Sequence, residues 1–118
     1  MVLVADVDEA ARFLVRGFGF TCRVEREGYA FLCDDTGRSA VRLVEADPGT
    51  DLADPRRQVT VYIDVDDVDA MWERHRGYLT SLPEGRVRPP FDQPYGQREF
   101  HAIHGPVLFF VGAPIRRD

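Results

Sequence analysis

Glu99 and His101 stand two residues apart in the stretch Arg98–Ile103, whose composition reads as a β-strand. Strand alternation puts Glu99, His101 and Ile103 on one face. A carboxylate and an imidazole at that spacing can chelate a metal ion. They can equally form a hydrogen-bonded polar pair, lining a cavity or tying structural elements together. A third ligand has no evident source, because His104 falls at a turn and reads as solvated. Other chemistries find less support. Ser39 and Ser81 lack the G-x-S-x-G surroundings of an activated serine, and neither Cys22 nor Cys33 lies near an obvious histidine. There is no Gly-rich phosphate loop and no CxxC spacing for zinc. The paired acids Asp34-Asp35 and Asp66-Asp67 read as turn and helix-cap residues.

The elements that must position the Glu99–His101 pair follow from an internal repeat. Asp6-Val7-Asp8-Glu9-Ala10-Ala11 and Asp67-Val68-Asp69-Ala70-Met71-Trp72 match at an offset of 61 residues. In the first, Val7, Ala10, Ala11, Leu14 and Phe18 recur at helical spacing; in the second, Val68, Met71, Trp72, His75 and Leu79 do the same. Asp6 with Glu9 makes a capping-box-like start, and Asp67 is the matching N-cap. Each helix follows a short apolar strand, Val2–Val4 or Val59–Ile63. Strands at Phe20–Glu25, Tyr29–Cys33 and Ser39–Glu45 follow the first helix. After the second come a weak candidate near Val87, then Arg98–Ile103 and Val107–Val111. Segments 46–57 and 80–97, rich in Pro, Gly and Asp, read as loops, the first joining the halves. The pattern is α+β, a βαβββ unit twice over, with half-modules near 1–50 and 57–118 in one domain. Trp72 falls on the apolar face of the second helix and reads as core. If Glu27-Gly28 is a two-residue hairpin turn, Cys22 comes opposite Cys33, within conceivable disulfide reach.

Composition narrows the function classes. A chain of 118 residues buries roughly two thirds of its unfolded surface and can hold a core without staples. The net charge is −5, with the acids spread along the chain. That balance argues against nucleic-acid binding, which needs clustered cations, and would attract a cationic ligand. No apolar run approaches the roughly 20 residues of a membrane span, and the start does not read as a signal peptide, so the expected location is the cytoplasm. There both cysteines are expected to stay reduced.

Three stretches together resemble the vicinal oxygen chelate superfamily of glyoxalases, bleomycin resistance proteins and dioxygenases. The opening Val4–Leu14, ending in Gly17-Phe18-Gly19-Phe20, is similar to the first module's "V-x-D-hydrophobic-x-x-A-x-x-F-Y … L-G-F". Tyr62–Asp69 is similar to the start of the second module, and Pro94–Phe100 to the "W/Y-G-x-R-E-F" stretch of bleomycin-resistance-like members. The resemblance implies curved mixed sheets enclosing a cavity, within a chain or across a homodimer.

Enzymes of that family hold a divalent metal at four strand positions. On this chain the first falls before Met1, and the others fall on Arg42, Thr60 and Phe109, with Phe110 in the last place if the shortened turn His104-Gly105-Pro106 slips the register. None is a metal donor of the required kind, so no cofactor is expected. The same parity turns Ala40, Arg42, Val44, Thr60, Tyr62, Glu99, His101, Val107 and Phe109 toward the cavity. Phe91 and Tyr95, read in the loop at 80–97, would border it. The candidate ligand-binding set is Arg42, Thr60, Tyr62, Phe91, Tyr95, Glu99, His101 and Phe109. The resemblance implies metal-independent binding and sequestration of a small molecule, such as a bleomycin-type antibiotic, by a homodimer. The alternatives are a metal-dependent isomerase, lyase or thiol transferase with rearranged ligands, and an interaction module with degenerate pockets.

Overall fold

The structure is a computed structural model and describes residues 1–116. The first half runs β1 (Val2–Val4), α1 (Val7–Phe18), β2 (Thr21–Arg26), β3 (Tyr29–Cys33) and β4 (Ala40–Glu45). A linker with one 3-10 turn, Pro55–Arg57, leads to β5 (Val59–Asp64), α2 (Val68–Leu79), β6 (Val87–Asp92), β7 (Gln97–His104) and β8 (Val107–Pro114). The strands form two four-stranded sheets, ordered β1-β4-β3-β2 and β5-β8-β7-β6. In each, the first strand pairs parallel with the last and the remaining pairs are antiparallel. This is the doubled βαβββ architecture.

The helices begin where the sequence says they must. Asp6 accepts from the Glu9 amide at 3.1 Å and Asp67 from the Ala70 amide at 3.0 Å, each satisfying a backbone donor left free by the first turn. Gly19 ends α1 in the left-handed region at φ 73°, where a side chain would be strained and would also strike His75. Asp34 accepts from the Thr36 hydroxyl at 2.9 Å and the Ser39 amide at 3.3 Å, as a turn residue does.

The two helices are not equivalent. α1 buries Val7, Ala10, Phe13, Leu14, Gly17 and Phe18, whereas α2 buries only Val68 and Leu79. The difference arises because α1 touches both sheets. Phe13 and Phe18 pack on each other at 5.3 Å, and both meet Phe109 of β8, at 5.7 and 5.4 Å. Phe18 also reaches Phe100 of β7 at 6.0 Å. Trp72 meets Phe100 at 5.3 Å and is half-buried against the core, on the apolar side of its helix as the spacing suggested.

Four expectations are corrected. The segment 80–97 is not one loop, since β6 crosses it and carries Phe91. Pro89 and Pro90 sit in a bulge of this edge strand, the place where a sheet tolerates a residue without an N–H. Phe109 faces α1 and is 2% exposed, so it lies in the core with Val107, and its neighbour Phe110 takes the opposite face. Cys22 pairs in register with Leu32 and Cys33 with Thr21, because a bulge follows Cys22; both thiols are free. His104 is half-buried against Phe13, at 5.0 Å between rings, and not solvated. Burial first, and then the Arg86 guanidinium, lower its pKa. Among the described residues no helix is long and apolar enough to cross a membrane.

Phe13 joins the halves through its ring alone. Phe13→Ala should cost about 3–5 kcal/mol, the range for emptying a well-packed aromatic site, read as a shift of the urea unfolding midpoint. An exposed control, Val15→Ala on the same helix, should cost under about 1 kcal/mol.

Candidate functional site

Because strands alternate, each sheet gives one face to the helices and leaves the other open. On the second sheet the open face carries Thr60 and Tyr62 from β5, Phe110 from β8, Glu99 and His101 from β7, and Arg88 and Phe91 from β6. Register aligns them across strands, pairing Tyr62 with Phe110, Phe110 with His101, His101 with Arg88 and Glu99 with Phe91. The result is a row of rings crossing all four strands. Phe91 meets His101 edge-on at 4.9 Å, and His101 stacks flat on Phe110 at 3.7 Å and 8°. Phe110 meets Tyr62 edge-on at 6.1 Å. Arg88 caps the far end with its guanidinium 3.5 Å from the centre of the Phe91 ring.

Beneath this row lies Glu99, whose side chain is fully buried. A buried carboxylate is costly unless hydrogen bonds replace its water. Here Tyr95 donates to Oε2 at 2.6 Å, Gln93 to Oε1 at 3.0 Å, and His101 Nε2 lies 2.7 Å from Oε1. Desolvation pushes the Glu99 pKa up, but the hydrogen bonds from His101, Tyr95 and Gln93 outweigh it, and the net shift is downward. An ionised carboxylate only accepts, so Nε2 of His101 carries the proton and the ring is fixed in one tautomer. Tyr95 feels the reverse effect: its hydrogen bond to Glu99 pushes the phenol up to about 12. Burial, followed by the Glu99 carboxylate, raises Tyr62, whose hydroxyl donates to Gln97 at 3.2 Å. Tyr62 lies flat only because residue 112 is glycine. A Cβ there would run into the Tyr62 hydroxyl and come within 3.1 Å of Cζ.

The open face therefore brings together Thr60, Tyr62, Phe91, Tyr95, Glu99 and His101. Phe91 reaches it from a strand and Tyr95 from the β6–β7 turn. Arg42 lies apart, on the open face of the first sheet, with its guanidinium 4.7 Å from the centre of the Phe31 ring. Phe109 takes no part. Reading the sequence alone missed Gln93 and Arg88, and it named Phe110 only as the alternative to Phe109 if the register slipped. The tyrosine and glutamine flanking Pro94 gave no spacing signal for Gln93. The run Val107–Val111 is apolar throughout and hides which residues face out.

The donor set does not suit the metal that related enzymes hold. Arg42 brings positive charge, Thr60 a single neutral hydroxyl, and Phe110 no donor at all. Among the described residues no group of three or more His, Cys, Asp or Glu side chains is placed to hold a metal ion. What the geometry provides is an aromatic platform, a guanidinium at its edge, and a locked imidazole.

Comparison with known proteins shows the family and the fold. Residues 1–110 match the sequence profile of the Glyoxalase/Bleomycin resistance protein/Dioxygenase superfamily. Comparison with curated protein sequences finds no match. Among solved structures, the fold is similar to a bleomycin resistance determinant encoded on the transposon Tn5. The TM-score is 0.75 at 18% identity, covering 98% of this chain and 94% of that one. It is also similar to TioX from Micromonospora sp. ML1, with TM-score 0.72, 24% identity and coverage of 97% and 94%. A third is the bleomycin-binding protein of Streptomyces verticillus complexed with copper(II)-bleomycin, with TM-score 0.71, 17% identity and coverage of 97% and 92%. At these identities the likeness is one of fold.

The Glu99 network makes a pH prediction. A carboxyl whose folded pKa lies below its ordinary value near 4.5 stabilises the fold fully above that value, and the contribution drains away as pH falls through the lower folded pKa. Urea midpoints measured down an acid series should therefore fall more steeply for the wild type than for Glu99→Gln. In the same variant, absorbance titration should return Tyr95 from about 12 toward the ordinary value of 10.0.

Proposed function

Since the chain belongs to the glyoxalase/bleomycin resistance protein/dioxygenase superfamily, we propose that it binds and sequesters a small aromatic molecule on the open face of the second sheet, without a metal and without chemistry. The observation that carries this reading is the ring row anchored on Glu99. A fully buried carboxylate with three hydrogen-bond partners holds His101 flat against Phe110, and that effort has no packing benefit an apolar residue would not supply. It does create a rigid, partly polar aromatic surface, suited to packing against a planar heteroaromatic group. An antibiotic of the bleomycin type is the first candidate ligand, and the net charge of −5 favours a cationic one.

The partner that completes the site is a second copy of the chain. Leu3 and Tyr62, with Ile103, stand 40%, 38% and 37% exposed on the two open faces, apolar surface that a homodimer would cover. The whole of residues 1–118 would act as one binding domain in the cytoplasm. The enzyme alternative, an isomerase, lyase or thiol transferase, would need donors that Arg42, Thr60 and Phe110 do not provide.

Isothermal titration against a panel of planar antibiotics, bleomycin included, tests the reading. At least one member should bind saturably, and Tyr62→Ala and His101→Ala should each weaken it about three- to tenfold, the worth of one aromatic contact. No binding by any member, or variants that bind unchanged, would sink it. Trp72 is a poor reporter here, because it packs on the helix side of Phe100.

A further inference from the structure

A cavity of about 560 Å³ lies where the two halves meet, apart from the ring row. Its wall is drawn from the start of α1, the linker, the residue ahead of β6 and the β7–β8 turn. Two of its residues show which side of the sheets it occupies. Val4 of β1 is 2% exposed within the core, and His104 of β7 packs its ring on Phe13 of α1. The cavity therefore sits on the helix side, and a homodimer closing over the open faces would leave it accessible.

On this wall Arg86 is held in place without an anion. Its Nε donates to the Ile103 carbonyl at 2.9 Å, and its guanidinium lies 5.7 Å from the centre of the Phe13 ring. Its Nη2 stands 3.4 Å from His104 Nδ1. A guanidinium only donates, so Nδ1 accepts and the neutral imidazole carries its proton on Nε2. Burial, and then Arg86, lower the His104 pKa, which keeps the ring neutral at pH 7. Among the described residues no carboxylate comes within ion-pair distance of Arg86.

Opposite charge lines the same space. Asp6 spends one carboxylate oxygen on the Glu9 amide as the helix cap, and Glu9 is exposed. Neither acid has a cation within ion-pair distance among the described residues. Both nevertheless act on His104 through space, as Arg86 does. A fixed cation and two carboxylates thus share one cavity without closing on one another. Val4, Leu52 and Pro106 add apolar wall to it.

We propose that this cavity binds a small zwitterion, an α-amino acid with an apolar side chain. The ligand carboxylate would meet Arg86 and the Nε2–H of His104, and its ammonium the carboxylates of Asp6 and Glu9. Hydrogen bonds with ionised partners are the strong ones, and a zwitterion makes them at both ends. A simple anion or a simple cation would leave one sign of charge in the cavity unanswered. The volume falls in the range of ligand pockets, about 300–1,000 Å³. None of Tyr62, Glu99, His101 or Phe110 takes part, so the site stands or falls separately from the ring row.

Three probes built on one carbon skeleton test it: L-leucine, 4-methylpentanoate, which lacks the ammonium, and 3-methylbutylamine, which lacks the carboxylate. Each is titrated at pH 7 into the ¹⁵N-labelled full chain and followed by amide chemical shifts. Leucine should saturate, bind about tenfold more tightly than either single-charge probe, and move the amides of Glu9, Ala53, Arg86 and His104 most. Arg86→Gln should weaken it about tenfold. Because Arg86 also ties Ile103, Glu9→Gln at an exposed position is the second variant. It should weaken leucine several-fold without weakening 4-methylpentanoate, and leave the unfolding midpoint unchanged. His101→Ala should leave leucine binding intact. Absence of saturable leucine binding, a single-charge probe that binds as tightly, or leucine binding that survives both substitutions would overturn the proposal. Shifts centred on the ring row, or loss of leucine binding in His101→Ala, would overturn it too.

Discussion

The structure is governed by the placement of one helix against two sheets. α1 is amphipathic, yet its apolar stripe is wide enough to serve β2–β4 on one side and, through Phe13 and Phe18, β7 and β8 on the other. Each sheet thereby commits one face to the helix layer. Strict alternation then forces the intervening residues outward, wherever the chemistry of those residues might prefer to be. The open faces follow from this packing, and the ring row on the second sheet and Arg42 on the first inherit their positions from it.

Placing a carboxylate under the ring row opposes stability unless hydrogen bonds replace its water. The donors come from two places: Gln93 and Tyr95 in the turn that joins β6 to β7, and His101 two residues along the strand. The turn and the strand are thus tied to one acid. Removing any donor leaves desolvation less opposed, so the turn, the imidazole and the carboxylate are ordered together. A face built this way is ordered before any ligand arrives and avoids part of the ordering cost of binding.

Much of this was legible in the sequence, for identifiable reasons. The repeat showed because caps and helical spacing are local signals, and Asp6 and Asp67 announce themselves within four residues. Glu99 and His101 were legible because polar residues stand out in a strand. Phe109 misled because its whole strand is apolar and the turn before it is short, so parity could only be counted. A one-residue error there exchanged core for open face. The Cys22–Cys33 register failed because a bulge leaves no mark in composition, and β6 was obscured by two prolines that only an edge position excuses.

Gly112 and Tyr62 are far apart in the chain, yet the ring of one fills the space that a side chain on the other would need. The two positions therefore form a single unit of variation. A descendant that enlarged residue 112 while keeping the tyrosine would lose the flat platform, whereas one that first shortened residue 62 could then admit a side chain at 112. Substitutions at these sites should travel as a pair and in that order, so among divergent relatives the size of one residue becomes a record of the other's history.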